Sequence, residues 1–273
     1  MRNNKVKVVI WGFGAMGSGM AKMLLKKKGF EIVGVCDKNP EYIGKSIFTL
    51  LNIKREDHPD VVVKGDIEEV VTEKCADICL LATDSFTQKA FPKIKYLGEK
   101  KINVISTAEE MVYPKANNPE LAEEMDRLAK KNGVTVLGTG INPGMMMDLL
   151  VVCLTGVMES VESIEVSRIN SLSPFGEAVM EEQGVGLTIA EFNEKKAEGK
   201  LAGHVGFRES INMIADALGF KLTNFGQSME PIITDVDRKS FYGFAKAGNV
   251  CGVNMEGFGY VDNELKIMMH HPQ

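Results

Sequence analysis

The chain has 273 residues, 44% of them hydrophobic and 25% charged, with a formal net charge of −5, which describes a globular protein large enough for two domains with cores of their own. The negative balance argues against a nucleic-acid partner, and no apolar stretch is as long as a membrane span, so no membrane partner is expected. The basic N-terminus (Arg2, Lys5, Lys7) runs directly into a strand and leaves no room for a signal peptide, so a cytoplasmic location is expected.

The first element is an apolar strand, Val6 to Ile10, β-branched and broken only by Lys7, as in the middle of a parallel sheet. A glycine turn follows, in which Gly12, Gly14 and Gly17, with Phe13, Ala15 and Met16 between them, satisfy G-x-G-x-x-G. Residues 15–28 read as a helix with Met16, Met20, Met23, Leu24 and Leu25 on one face. The first glycine permits a tight turn, the second lets backbone N–H groups approach a pyrophosphate, and the third allows close helix–strand packing. The helix N-terminus then faces the phosphates. A second strand, Glu31 to Cys36, ends at Asp37, twenty residues after Gly17, where an acceptor for a ribose 2′-hydroxyl belongs. Asp37 repels a 2′-phosphate whereas the neighbouring Lys38 attracts one, so NAD is favoured and NADP is allowed. A plain turn with a loop-capping aspartate does not account for the whole unit.

Strand and helix patterns then alternate. Residues 41–52 read as a short helix, Val61 to Val63 as a strand, Asp66 to Lys74 as a helix, and Asp77 to Thr83 as a strand ending in Thr83, Asp84 and Ser85. Ligands collect outside the carboxyl ends of such strands, which makes these three cofactor candidates; equally, they could cap the helix of residues 86–100, which Pro92 could kink. Ile102 to Ser106 is the next strand and carries Ser106, Thr107, Glu109 and Glu110 to the same rim. The two acids suit the first turn of a helix and equally suit a base that binds a substrate ammonium or activates water. After a helix over 117–131 and a strand over 134–137 comes a second glycine-rich loop, GTGINPG (138–144). Asn142 and Pro143 there are candidates for contact with a nicotinamide, with Pro143 starting a helix; a simple connector is the other reading. The following methionine run reads as pliable core, with Met145 at its start counted among the pocket residues.

From Val161 the pattern turns to partial alternation (VESIEVSRIN), so the parallel domain is expected to end near residue 158. Arg168 and Asn170 lead into a loop, 171–186, suited to closing over a substrate; a solvated connector, with Arg168 as a surface cation, is the other reading. Helices are expected over 187–198 and 209–218, and His204, among glycines, is the one histidine in a site-like context, with a loop histidine bonded to backbone as the other reading. Long strands over 220–235 and 248–268 complete an antiparallel sheet, with 264–269 as an edge strand. The expected fold class is α/β: a Rossmann-type parallel-sheet domain over 1–158, then an α+β domain over 159–273 with a mostly antiparallel sheet, serving substrate binding and dimerisation. The five cysteines (Cys36, Cys75, Cys79, Cys153, Cys251) form no C-x-x-C pair and read as buried thiols, and the four histidines (His58, His204, His270, His271) have no metal-site spacing, so no metal is expected.

With residues 12–17, STAEEMVYP (106–114), GTGINPGMMMD (138–148) and GHVGF (203–207) in hand, the chain resembles the 2,4-diaminopentanoate dehydrogenases over essentially its whole length. These are related to the native NAD(P)-dependent amine dehydrogenases and more distantly to dihydrodipicolinate reductases. The resemblance implies oxidative deamination of an amine to a ketone with release of ammonia, or the reverse reductive amination. It implies a catalytic glutamate in STAEE, Glu109 or Glu110, of which Glu109 lies nearer the strand end. It also implies a substrate pocket lined by Arg168, Asn170 and His204, with Arg168 facing the carboxylate of a small diamino acid. Members of the family continue beyond the position of Gln273, so the expectation is either a second domain that is incomplete or a member whose pocket is less closed. Two other functions compete: imine reduction, against which RINSLSPFGEAVMEE lacks the histidines and lysines of a reductase substrate loop, and a non-catalytic NAD-binding sensor. The exposed antiparallel sheet makes a homodimer the expected assembly.

Overall fold

A computed structural model describes residues 4–273. The chain divides into two compact units, Met1–Gly140 and Ile141–Gln273; the boundary read from the sequence, near 158, follows the first helix of the second unit.

The first unit alternates strands and helices: β1 (Val6–Trp11), α1 (Ala15–Leu25), β2 (Phe30–Cys36), α2 (Ile47–Leu51), β3 (Val63–Lys64), β4 (Ile78–Leu81), α3 (Thr87–Glu99), β5 (Asn103–Ser106), α4 (Pro119–Asn132) and β6 (Val136–Gly138). All six strands are parallel, in the order β3-β2-β1-β4-β5-β6. β1 is central and buried on both faces, because Val9 joins the cluster of Cys79, Leu81, Ile94 and Leu97 while Val8 and Ile10 join that of Ala21, Leu24, Val35 and Ile47. The order reverses between β1 and β4, which opens the crevice of a doubly wound sheet at their carboxyl ends. Two expected helices are shorter than their patterns. Residues 41–46 turn, and α2 begins only where Ser46 Oγ accepts from the Phe48 N–H at 3.2 Å. Over 66–74 there is one 3₁₀ turn, Ile67–Glu69, capped by Asp66. Pro92 lies inside α3.

The second unit holds α5 (Leu149–Thr155), β7 (Ile164–Ser167), α6 (Glu177–Glu182), α7 (Ile189–Ala197) and α8 (Phe207–Leu218), then β8 (Asn224–Ile233), a small hairpin of β9 (Arg238–Lys239) and β10 (Phe244–Ala245), and the long pair β11 (Val250–Val261) and β12 (Glu264–Pro272). The sheet order is β7-β12-β11-β8, with β7 parallel to β12 and the other pairs antiparallel. β12 is therefore an inner strand and not the expected edge, because β7, made much earlier in the chain, pairs along its outer side. α8 covers one sheet face through Phe207, Ile211 and Ile214. It comes so close that a Cβ on Gly259 would lie 2.7 Å from Ile211 Cγ2.

Pro143 does not start a helix. Its peptide bond with Asn142 is cis, and α5 starts six residues later at Leu149 behind the N-cap Asp148, whose buried carboxylate accepts from Leu149 N–H (2.6 Å), Gly144 N–H (2.7 Å) and Ser210 Oγ–H (2.8 Å). Of the methionine run only Met147 is core, while Met145 and Met146 are exposed. The cysteines are all free thiols, but only Cys36 and Cys79 are buried; Cys75 and Cys251 are half-buried, and Cys153 is exposed on α5. Among the described residues no helix is long and apolar enough to cross a membrane.

Candidate active site

The glycine turn joins β1 to α1. Gly12 has φ +97°, and a side chain there would meet Ala82 O at 2.3 Å; at Gly17 it would meet Gly12 O at 1.8 Å, so only glycine lets α1 approach the strand. Gly14 differs, having nothing within 4 Å of a built Cβ. It is the N-cap of α1, which has no side-chain cap and no acid in its first turn, so its leading N–H groups are available to an anion. Phe13 turns its ring into the core, Ala15 and Met16 are exposed, and the Phe13 N–H donates to Asp37 Oδ2 at 2.5 Å. Asp37 Oδ1 accepts from the Asn39 N–H at 2.8 Å, and Lys38 beside it is exposed. A crevice, a turn open at its second glycine, an uncapped helix N-terminus and an acid at the end of β2 fit a dinucleotide.

At the ends of β4 and β5 the predicted residues divide. Thr83 and Asp84 do not cap α3; Thr83 Oγ1–H donates to Asp84 Oδ2 (2.6 Å), and Lys93 Nζ donates to both, at 2.7 and 2.5 Å. Burial works to raise the Asp84 carboxyl, but the hydrogen bonds from Lys93 and Thr83 and the lysine charge outweigh it and hold it below the usual carboxylate range. Ser106 is fully buried, its hydroxyl accepting from the Ala108 N–H at 3.2 Å. Thr107 ties β5 to β4 through its N–H to Leu81 O at 3.0 Å. The cap of α3 comes from Glu110, whose Oε2 accepts from the Thr87 N–H (2.8 Å) and Asn118 Nδ2 (3.2 Å). Glu109 and Glu110 open a 3₁₀ turn, Glu109–Val112, directly after β5.

The second unit brings Asn142, Arg168 and His204 together around a residue that no sequence motif singled out, His271, while Asn170 is tied to the same strand by its N–H to Pro272 O at 3.4 Å. The His271 ring, buried on β12, makes a hydrogen bond through Nδ1 to Arg168 O (2.9 Å) and another through Nε2 to Arg168 Nη1 (3.1 Å). Because a carbonyl only accepts and a guanidinium only donates, Nδ1 carries the proton and the ring is neutral. His204 lies edge-on to it, centroids 4.8 Å apart, with Nε2 3.2 Å from Asn142 Nδ2. Burial, then the neighbouring His271 and Arg168, pull the His204 pKa down to about 3. Burial likewise lowers His271, partly offset by its bond to the Arg168 carbonyl, and lowers Arg168. Asn142 Oδ1 and both side-chain amide atoms of Asn170 are buried without a hydrogen-bond partner among the described residues. Asn142, read from the sequence as a cofactor residue, is hydrogen-bonded to His204 of this polar cluster, and Met145 is exposed. His271 was legible in one respect: it continues the alternation of Ile267 and Met269, the core face of β12.

The first unit is an NAD(P)-binding domain, and with it the chain falls into the class of nicotinamide-dependent oxidoreductases. Residues 6–129 match the family model of the dihydrodipicolinate reductase N-terminus, and residues 145–273 match that of the 2,4-diaminopentanoate dehydrogenase C-terminal domain. The chain is 66% identical over 270 residues to the 2,4-diaminopentanoate dehydrogenase of Acetoanaerobium sticklandii, a match spanning 98% of this chain and 76% of that one. It is 22% identical to an amine dehydrogenase of Streptomyces virginiae, over 97% and 74% of the two chains. The structure of the amine dehydrogenase from Mycobacterium smegmatis superposes with a TM-score of 0.84 at 26% identity, over 99% of this chain and 79% of that one. The chain belongs to the 2,4-diaminopentanoate dehydrogenase family, and it is an oxidoreductase acting on amines.

Proposed function

We propose that the chain oxidises the amine of 2,4-diaminopentanoate to a ketone, with Glu109 as the acid/base and NAD as the preferred cofactor, in a homodimer located in the cytoplasm. The net reaction converts amine, water and oxidised cofactor into ketone, ammonia, reduced cofactor and a proton. The nicotinamide supplies the hydride acceptor. Glu109 takes the proton of the substrate ammonium, which frees the lone pair that drives hydride loss, releases that proton to solvent, and as a carboxylate again takes a proton from the water that adds to the iminium carbon. In the reverse direction it returns both.

The observation that carries the substrate reading is the polar cluster of the second unit. Its one permanent charge is Arg168, its two histidines are held neutral by burial, and its unmatched polar atoms are Asn142 Oδ1 and the two side-chain amide atoms of Asn170. A carboxylate meets Arg168 as a fork, and an ammonium suits the amide oxygens, so a diamino acid answers groups that are otherwise costly to bury. Asp37, held by two backbone N–H groups, supports NAD over NADP. Asn142, Arg168, Asn170 and His204 are assigned to the substrate; Gly12 to Gly17, Asp37, Thr83, Asp84 and Thr107 surround the dinucleotide. The match of residues 145–273 to a diaminopentanoate dehydrogenase domain favours deamination over imine reduction.

The test is ammonia release coupled to NAD+ reduction with 2,4-diaminopentanoate, ornithine and simple amines. Preference for the diamino acid, lost on Arg168→Met through KM, supports the assignment. Equal turnover of simple amines sinks it, and NADH binding without turnover of any amine would favour the sensor.

A further inference from the structure

Lys93 lies outside every motif that points to the dinucleotide, yet its ammonium ends at the strand-end rim. From the second turn of α3 it reaches back to Thr83 Oγ1 (2.7 Å) and Asp84 Oδ2 (2.5 Å), and the Thr83 hydroxyl donates its own proton to the same carboxylate oxygen (2.6 Å). The three groups close a ring in which the hydroxyl both accepts and donates. The pair is largely withdrawn from solvent, with 24% of the Lys93 and 12% of the Asp84 side chain exposed. The ammonium also stands 5.8 Å from the centre of the Trp11 ring, at the end of β1.

The other side of Thr83 faces the glycine turn. Its Cγ2 lies 3.0 Å from the position a Cβ would take on Gly12, and the adjoining Ala82 N–H donates to Trp11 O at 2.8 Å. The loop after β4 is thus the back wall of the turn. We infer that Lys93 is a positioning residue for dinucleotide binding, pinning Thr83 against the Gly12 turn and cancelling the charge of Asp84 beside the site of the two phosphates.

Both effects follow from elementary electrostatics. A pyrophosphate at the α1 N-terminus is attracted by the helix end but repelled by a carboxylate on the adjoining loop, and in a partly buried setting that repulsion is screened far less than in water. Lys93 removes it. Without the Lys93 ammonium, Asp84 keeps its charge with one hydroxyl bond and the field of Lys89 to offset it, and the loop loses the bond that orients Thr83.

Calorimetric titration with NADH reads this directly and does not depend on which amine is the substrate. Lys93→Met is expected to raise the NADH Kd about tenfold and to leave kcat at saturation within about twofold, because Lys93 does not touch the reacting atoms. Lys93→Arg is expected to recover most of the affinity. The double variant Asp84→Asn/Lys93→Met is expected to recover affinity too, because the uncancelled charge is gone, and the Lys93→Met deficit is expected to shrink as salt is raised. A wild-type Kd in Lys93→Met overturns the inference, as does a double variant no better than Lys93→Met. Should Lys93→Met fail to fold, Thr83→Val keeps the shape and removes the joining hydroxyl; its Kd is expected to rise severalfold, and an unchanged Kd overturns the inference.

Discussion

Glu109 and Glu110 are adjacent, and the surroundings of Glu110 separate them. With its carboxylate on the first N–H of α3 and on Asn118, Glu110 serves as a helix cap, a contribution of about 1 kcal/mol. Glu110→Ala is therefore expected to lower Tm by roughly 2–4 °C, whereas Glu109→Gln is expected to cut kcat by about 10²-fold or more. Thermal melts beside steady-state rates check both, and a Glu109→Gln enzyme with the wild-type rate contradicts the proposed mechanism. The two histidines of the polar cluster set an acid limit on stability. His204 stays neutral in the folded protein down to about pH 3 but protonates near 6.5 once unfolded. Between these values the unfolded state binds the extra proton, so stability falls as pH falls through that window, by at most about 1.4 kcal/mol per pH unit for one histidine. Its lowered neighbour His271 adds in the same direction. Tm should therefore drop from pH 7 to pH 4, and His204→Asn should flatten the slope; an unchanged slope would contradict the burial account.

Among the elements, the β1–α1 junction carries a prediction that separates packing from ligand contact. Gly17→Ala drives a methyl into Gly12 O and must push α1 off the strand, expected to destabilise by about 1–3 kcal/mol and to weaken NADH binding with it. Gly14→Ala meets only open space and lies at φ −66°, which any residue adopts. It should leave Tm unchanged yet weaken NADH binding, because the methyl stands where the pyrophosphate approaches. Loss of Tm in Gly14→Ala would contradict this reading. Trp11 is the only tryptophan and directly precedes the turn, so energy transfer from its ring to bound NADH is a direct readout of both variants.

For the molecule as a whole, the proposed homodimer has a candidate surface. The face of the four-stranded sheet opposite α8 presents the row Glu165, His270, Glu256 and Ser228, in which His270 lies 3.3 Å from Glu165 and 3.0 Å from Glu256, with Met268 and Phe258 beside it. Three strands about 30 Å long and the short β7, about 4.8 Å apart, make a face of roughly 500 Å², so two copies would bury about 1,000 Å², at the lower bound for a specific interface. Sedimentation is expected to give twice the monomer mass, and Met268→Glu is expected to give the monomer. A wild-type monomer would contradict the assembly.

The local and periodic part of this protein is legible in its sequence. Glycine spacing, the β-branched run of β1 and the position of Asp37 are encoded within 32 residues, so the dinucleotide unit could be read directly, and the motifs STAEE and GINPG carried the family. The remainder became visible only in three dimensions, because it depends on groups far apart in the chain. Glu110 capping a helix 23 residues earlier, His271 reaching Arg168 across 103 residues, and β7 taking the outer side of β12 leave no local signal. Each arises because a buried charge, an open helix end or an unpaired strand edge must find a partner wherever the fold supplies one.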